Sequence, residues 1–183
     1  MRNLLIAAAA SALMLGGCNT VEAGGSADAS ASATGGMSSD MTPNGASAYV
    51  QLAASTDMYE IQSSQLATGS AQNPAIRSFA EMMIRDHTNT SQQLMAAATA
   101  AGMAPPPPAM MPMHAEMVAK LQGRTGADFD REYARQQLLA HQQAVALHGN
   151  FAARGDAPAL RAVAAAAVPV VTHHLNMVRQ WPR

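Results

Sequence analysis

The stretch Phe79–Leu94, FAEMMIRDHTNTSQQL, decides the fold. It lies inside a longer run in which Ile76, Ala80, Met83, His87, Thr90, Leu94 and Ala97 recur at steps of four and three residues. That spacing is the apolar seam of a helix packed against other helices. Asn73 before it is a good N-cap, and Pro74 fits the first helical position, where its missing N–H costs nothing. Gly102 ends the run. His87 stands on the seam itself, whereas Asp86 points about 100° away and does not stack on it.

Two later segments repeat the feature. One begins near Asp128, taken as its N-cap, and ends by Gly155, with the stripe Ala134, Leu138, His141, Val145, His148 and Ala152. The other opens with Asp156 and Pro158 and carries Leu160, Val163, Ala167, Val170, His174, Met177 and Trp181. Pro169 inside it is expected to kink the helix and free the carbonyl of Ala165. Upstream, a helix is expected over Ser47–Thr68, stopped by Gly69. It carries two competing stripes, so periodicity leaves open whether Glu60 faces the core. On the helix alone a solvated carboxylate is the better reading.

Aromatic residues make up 4% of the chain and hydrophobic residues 49%. A core built from Ala, Leu, Val and Met favours helices over sheets. Four long amphipathic segments and no strand pattern define an all-α four-helix bundle. Met103–Thr125 joins the second and third bundle helices. It holds Pro105–Pro108, the run Met110-Met111-Pro112-Met113-His114, and a short helix expected over Pro112–Leu121. More than twenty residues is long for a helix–helix turn. It suits a connection that crosses the bundle and leaves the second and third helices parallel. The net charge of −1 gives no electrostatic case for nucleic-acid binding.

Residues 1–17 read as a leader, with Arg2 ahead of the apolar run Leu4–Leu15, which is too short for a good membrane span. Leu15-Gly16-Gly17-Cys18 resembles the lipobox of bacterial lipoprotein signal peptides, with Cys18 as the acylated first residue of the mature chain. Asn19 after it implies outer-membrane rather than inner-membrane retention in that pattern. Cys18 is the single cysteine, so no intrachain disulfide forms. Residues 18–46 are rich in Ser, Ala, Gly and Thr and read as a flexible tether from membrane to bundle. The bundle is expected over residues 47–182.

Helical rise tests whether the polar seam residues meet. Counted along their helices at 1.5 Å per residue, His87, His141 and Glu60 lie about 20 Å from an end of the bundle and His174 about 26 Å. If the connection crosses the bundle, all four fall within about a turn of its middle. His148 lies nearly two turns from that level, and His173 faces about 100° from the seam. A single seam histidine is an ordinary core residue satisfied by one hydrogen bond. Three at one level need partners, either in a polar network with Glu60 or around a metal. Three imidazoles and a carboxylate, His87, His141, His174 and Glu60, suit zinc or copper.

The pattern Glu60…Asn73-Pro74…Phe79-Ala80…Met83…Asp86-His87, then Phe129-Asp130…Tyr133…His141…Val145, then Pro169…His174-Leu175…Met177 resembles the "domain of unknown function 4142" family. That resemblance implies a ferritin-like four-helix bundle in an outer-membrane or periplasmic protein. The chain departs from di-iron ferritins. The residues three before the histidines are Ile84, Leu138 and Val171, where those proteins carry Glu. Di-iron chemistry is therefore disfavoured. No nucleophile triad or phosphate loop is visible, so an enzyme has no positive support.

Three functions are consistent with these residues. The first is a lipid-anchored envelope protein binding one divalent ion, zinc or copper, at the mid-bundle His/Glu cluster. The second is a non-enzymatic structural or stress-related envelope protein with a metal-free polar core. The third is copper binding by Met110, Met111, Met113, His114 and Met117, where thioethers suit Cu(I), although Met also fills gaps in packing.

Overall fold

The computed structural model describes residues 41–106 and 109–181. The leader, Cys18 and most of the expected tether lie outside the described residues. Among the described residues five helices follow in order: α1 (Ala46–Ser70), α2 (Pro74–Ala100), α3 (Pro112–Leu121), α4 (Gly126–Arg154) and α5 (Pro158–Val178). The four long ones form the bundle, and α3 is the short helix of the connection. None of the described helices is long and apolar enough to cross a membrane.

Two apolar clusters give the direction of each helix. One unites Tyr49 and Leu52 from the start of α1, Leu94 and Ala98 from the end of α2, Leu147 and Phe151 from the end of α4, and Leu160 and Ala164 from the start of α5. The other unites Ala67 from the end of α1, Ile76, Phe79, Ala80 and Met83 from the start of α2, Phe129 and Tyr133 from the start of α4, and Val178 from the end of α5. So α1 and α2 form one antiparallel hairpin and α4 and α5 another, and α2 runs parallel to α4. The connection does cross the bundle, as its length implies. It carries α3 against α1 and α4, where Met117 and Val118 pack with Tyr59 and Ala140.

The start of α2 follows the sequence reading. Asn73 caps it by accepting from the Ala75 N–H at 2.9 Å, with Pro74 at the first position. The Asp130 carboxylate adds two bonds, from the N–H groups of Gln72 at 3.0 Å and Asn73 at 2.9 Å. Replacing Asn73 with Ala removes one cap bond and is expected to cost about 1 kcal/mol, lowering the thermal midpoint by about 2–4 °C. A calorimetric scan of the two proteins checks this.

Several boundaries differ from expectation. Gly69 does not stop α1, which continues to Ser70 and is closed by the Ala71 N–H bonding to the Ala67 carbonyl. Asp128 is not the N-cap of α4. The helix begins earlier, at Gly126, whose φ of +60° suits glycine, and Asp128 pairs instead with Arg124 and Arg131. Pro169 lies on an exposed position, and α5 continues helical through it.

The phase of α4 also differs. Tyr133, Gln137, Ala140, His141, Ala144, Leu147 and Phe151 are buried, whereas Ala134, Leu138, Val145 and Ala152 of the expected stripe are only half-buried. Its buried face includes Gln136 and Gln137, so a purely apolar stripe misplaces it. Of the two competing stripes of α1, Tyr49, Ala53, Thr56, Glu60, Ser63 and Ala67 are all buried, and Leu52, Thr56, Tyr59, Ser63 and Leu66 are buried except for the half-buried Leu66, because α1 packs against α2, α3 and α4.

The segment before α1 is docked. Asn150 on α4 donates to the Thr42 carbonyl at 2.7 Å and to Asn44 Oδ1 at 3.0 Å. The Ala46 N–H donates to Asp156 at 2.9 Å. The last residues of the expected tether are thus fastened to the end of α4 and to the turn that follows it.

Candidate metal centre

Between the two apolar clusters lies a polar layer: Asp57 and Glu60 from α1, His87 from α2, His141 from α4 and His174 from α5. The histidines are 3%, 1% and 1% exposed. Their ring centroids are 6.0 Å apart for His87 and His141, 5.7 Å for His87 and His174, and 5.3 Å for His141 and His174. The parallel arrangement of α2 and α4 puts them at one height, as the helical-rise count requires.

Each ring is fastened by one nitrogen. His87 Nδ1 donates to Asp57 Oδ1 at 2.7 Å. His141 Nδ1 donates to the Gln137 carbonyl at 2.9 Å. His174 Nε2 donates to Asp86 Oδ2 at 2.9 Å. The opposite nitrogens, His87 Nε2, His141 Nε2 and His174 Nδ1, are buried with no hydrogen-bond partner. One ligand atom from each ring lies within 4.8 Å of the others. An N–H bonded outward to a carboxylate or carbonyl leaves the lone pair of the second nitrogen available and fixes the ring that carries it. Orphaned buried polar atoms are rare because each costs about 1–3 kcal/mol. Three in one place match the demands of a cation better than those of an apolar core.

The anchors are built to different strengths. Asp57 also accepts from Thr90 at 3.0 Å and Ser91 at 3.0 Å, which pins His87 from a buried position. Phe79 sets its edge against His141 and His174, with centroids at 6.0 and 6.1 Å, and closes the side facing the second apolar cluster.

Glu60 faces the core at 1% exposure, contrary to the solvated reading. It stands behind His141 rather than among the free nitrogens. Its Oε1 is 3.8 Å from His141 Nδ1, and its Oε2 accepts from Gln137 Nε2 at 2.7 Å. It is not part of the close group of ligand atoms, which the three histidines form by themselves. Burial raises its carboxyl to about 7, opposed by the nearby His87 and the Gln137 bond.

Burial also sets the imidazoles. It pulls His141 down to about 3, aided by the charges of His87 and His174, and His174 down to about 4 against the pull of Asp86. For His87 burial acts downward too, but the Asp57 bond and the charges of Asp57, Glu60 and Asp86 outweigh it and raise the group.

Two partners of the centre escaped the sequence reading. Asp57 sits three residues before Glu60, so the two share a helical face, a signal that two buried carboxylates side by side make easy to discount. Asp86 does not stack on His87, so the spacing within α2 gives it no role. It reaches across to α5 instead. His148 and His173 fall outside the cluster as expected: His148 Nδ1 bonds to the Tyr49 hydroxyl at 3.0 Å, and His173 is exposed. In the connection, His114 is buried and bonds to Ser55 Oγ at 2.6 Å, and Met117 is buried. Met110, Met111 and Met113 are half-buried.

These features define an all-α bundle with a buried three-histidine centre. The chain belongs to the family described as Domain of unknown function (DUF4142), whose model matches residues 30–181. Its fold is similar to that of CopM in the Cu(II)-bound form, at 20% identity and a TM-score of 0.64, covering 75% of this chain and 95% of that one. The Ag-bound form of CopM is similar at 20% identity and a TM-score of 0.62, covering 75% and 94%. Its Cu(I)-bound form gives 19% identity and a TM-score of 0.62 over 74% and 94%. A comparison with curated proteins found no match.

Proposed function

We propose that this protein is a lipid-anchored envelope protein that binds a single metal ion, copper or zinc, through His87, His141 and His174. The observation that carries the reading is the set of three buried ring nitrogens without partners, each on a ring held from behind. Nitrogen ligands suit both metals, at about 2.0–2.1 Å for zinc. Binding would draw the three nitrogens to about 3.4 Å apart, the spacing of a tetrahedral site. Asp57 and Asp86 behind two rings, with Glu60 near the third, offset the charge of a divalent ion. Three protein ligands leave a coordination position for water or another small ligand. Structures of CopM with copper and silver share this fold, which favours copper over zinc.

Protein purified without added metal and dialysed against Cu(II) or Zn(II) is expected to hold about one ion per chain. The variant His87→Ala/His141→Ala is expected to hold almost none. Equal, near-zero occupancy in both proteins would refute the metal reading and leave the metal-free polar core, for which chelators leave the thermal midpoint unchanged. The half-buried thioethers of Met110, Met111 and Met113 support a second copper reading. Cu(I) retained by the double-histidine variant would assign it to the connection.

A further inference from the structure

The three histidines are almost fully buried, so an ion reaches them only when one wall opens. The walls are the three anchors, and they differ in how easily they yield. Gln137 holds His141 through a main-chain carbonyl inside α4, and moving it means unwinding a helix. The Asp57 side chain is 8% exposed and is fixed by three donors. The Asp86 side chain is 36% exposed, and among the described residues His174 is its one hydrogen-bond donor. Water can replace an acceptor only where water reaches. His174 is thus the one ring whose outer bond can be exchanged for solvent without disturbing a helix or a buried network.

We infer, on the reading that the triad binds metal, that ions enter and leave between α2 and α5, with Asp86 as a latch on His174. While Asp86 holds Nε2, Nδ1 faces the centre. When the bond opens, the ring turns and withdraws Nδ1, and the centre is left with two ligands. Asp86 is a positioning residue in this scheme and does not touch the ion. Its negative charge at the mouth also draws cations toward the opening.

The test uses the full-length protein loaded with zinc, at high salt so that the charge of residue 86 is screened. Uptake and chelator-driven release are followed in Asp86→Ala, Asp86→Asn and Asp57→Ala. Asp86→Ala is expected to speed release about fivefold, the factor that one net hydrogen bond gives to a closed state. Uptake should rise by a similar factor, leaving Kd within about threefold because water takes over as acceptor. Asp86→Asn keeps an acceptor oxygen and should release slowly, as the wild type does. Asp57→Ala should weaken Kd through release, with uptake unchanged.

Unaltered rates in Asp86→Ala would overturn the latch. So would a weaker Kd with uptake unchanged, which marks ordinary support of a ligand, or fast release from Asp86→Asn. A wild-type protein that takes up no zinc under conditions where it takes up copper moves the same measurements to Cu(II). One that takes up neither overturns the triad reading and the route with it.

Discussion

Acidification from pH 7 to pH 5 without metal is expected to cost the fold on the order of 5 kcal/mol. Burial holds His114 at about 4, His141 at about 3, His148 at about 4 and His174 at about 4 in the folded protein. The unfolded chain protonates the same groups near 6.5. Unfolding therefore takes up protons throughout this window, and stability present above pH 6.5 is lost as pH falls toward the folded values. Glu60 acts in the opposite sense. Its folded value of about 7 lies above the unfolded one, so it gains stability as pH drops below 7. His87, also raised, acts in the same sense. Four imidazoles against these two groups leave a net loss across this window. Urea midpoints measured at pH 7, 6 and 5 in the presence of chelator check it, and equal midpoints would contradict it. Bound metal needs the lone pairs that acid protonates, so acid should release metal as it loosens the core.

Asp57→Ala is the substitution expected to do most damage. It leaves His87 Nδ1, Thr90 Oγ1 and Ser91 Oγ without their shared acceptor and opens a small void at a buried position. Breaking a buried pair by removing one partner costs about 3–5 kcal/mol. Metal affinity should fall about 10–100-fold, because the anchor that sets the tautomer and direction of His87 is gone. Asp57→Asn keeps the shape and an acceptor oxygen and should be milder in both respects. Chemical unfolding and metal titration of the two variants measure this. Equal losses from Ala and Asn would show that the charge of Asp57, rather than its geometry, supports His87.

Much of the fold was legible because helices declare themselves locally. Asn73-Pro74 fixes the start of α2 by backbone chemistry that needs no neighbour. The short helix Pro112–Leu121 follows from Pro112, a first-turn proline. The crossing connection follows from length alone. Errors came where a local signal had a tertiary competitor. Gly69 can cap a helix, but α1 continues past it to the contact of Ala71 with Gly126. The face of α4 carries buried Gln136 and Gln137, whose amide nitrogens donate to the Met117 carbonyl, Glu132 and Glu60. Without those partners the burial of two glutamines has no visible reason, and the apolar spacing places the face one position off.

The sequence by itself determined the all-α bundle, the level at which His87, His141 and His174 meet, and the absence of the Glu-x-x-His pairs that two irons need. Those depend on period, rise and residue type, which are properties of a single helix. Only the tertiary structure decided what stands behind each ring. Asp57 comes from α1 and Asp86 reaches from α2 to α5, so both pairings cross between helices whose relative rotation no single period specifies. The same rotation buried Glu60 and set it behind His141 instead of among the free nitrogens. Helix geometry brings histidines to one height, but the packing of four helices decides which nitrogen of each ring is tied and which is left for an ion.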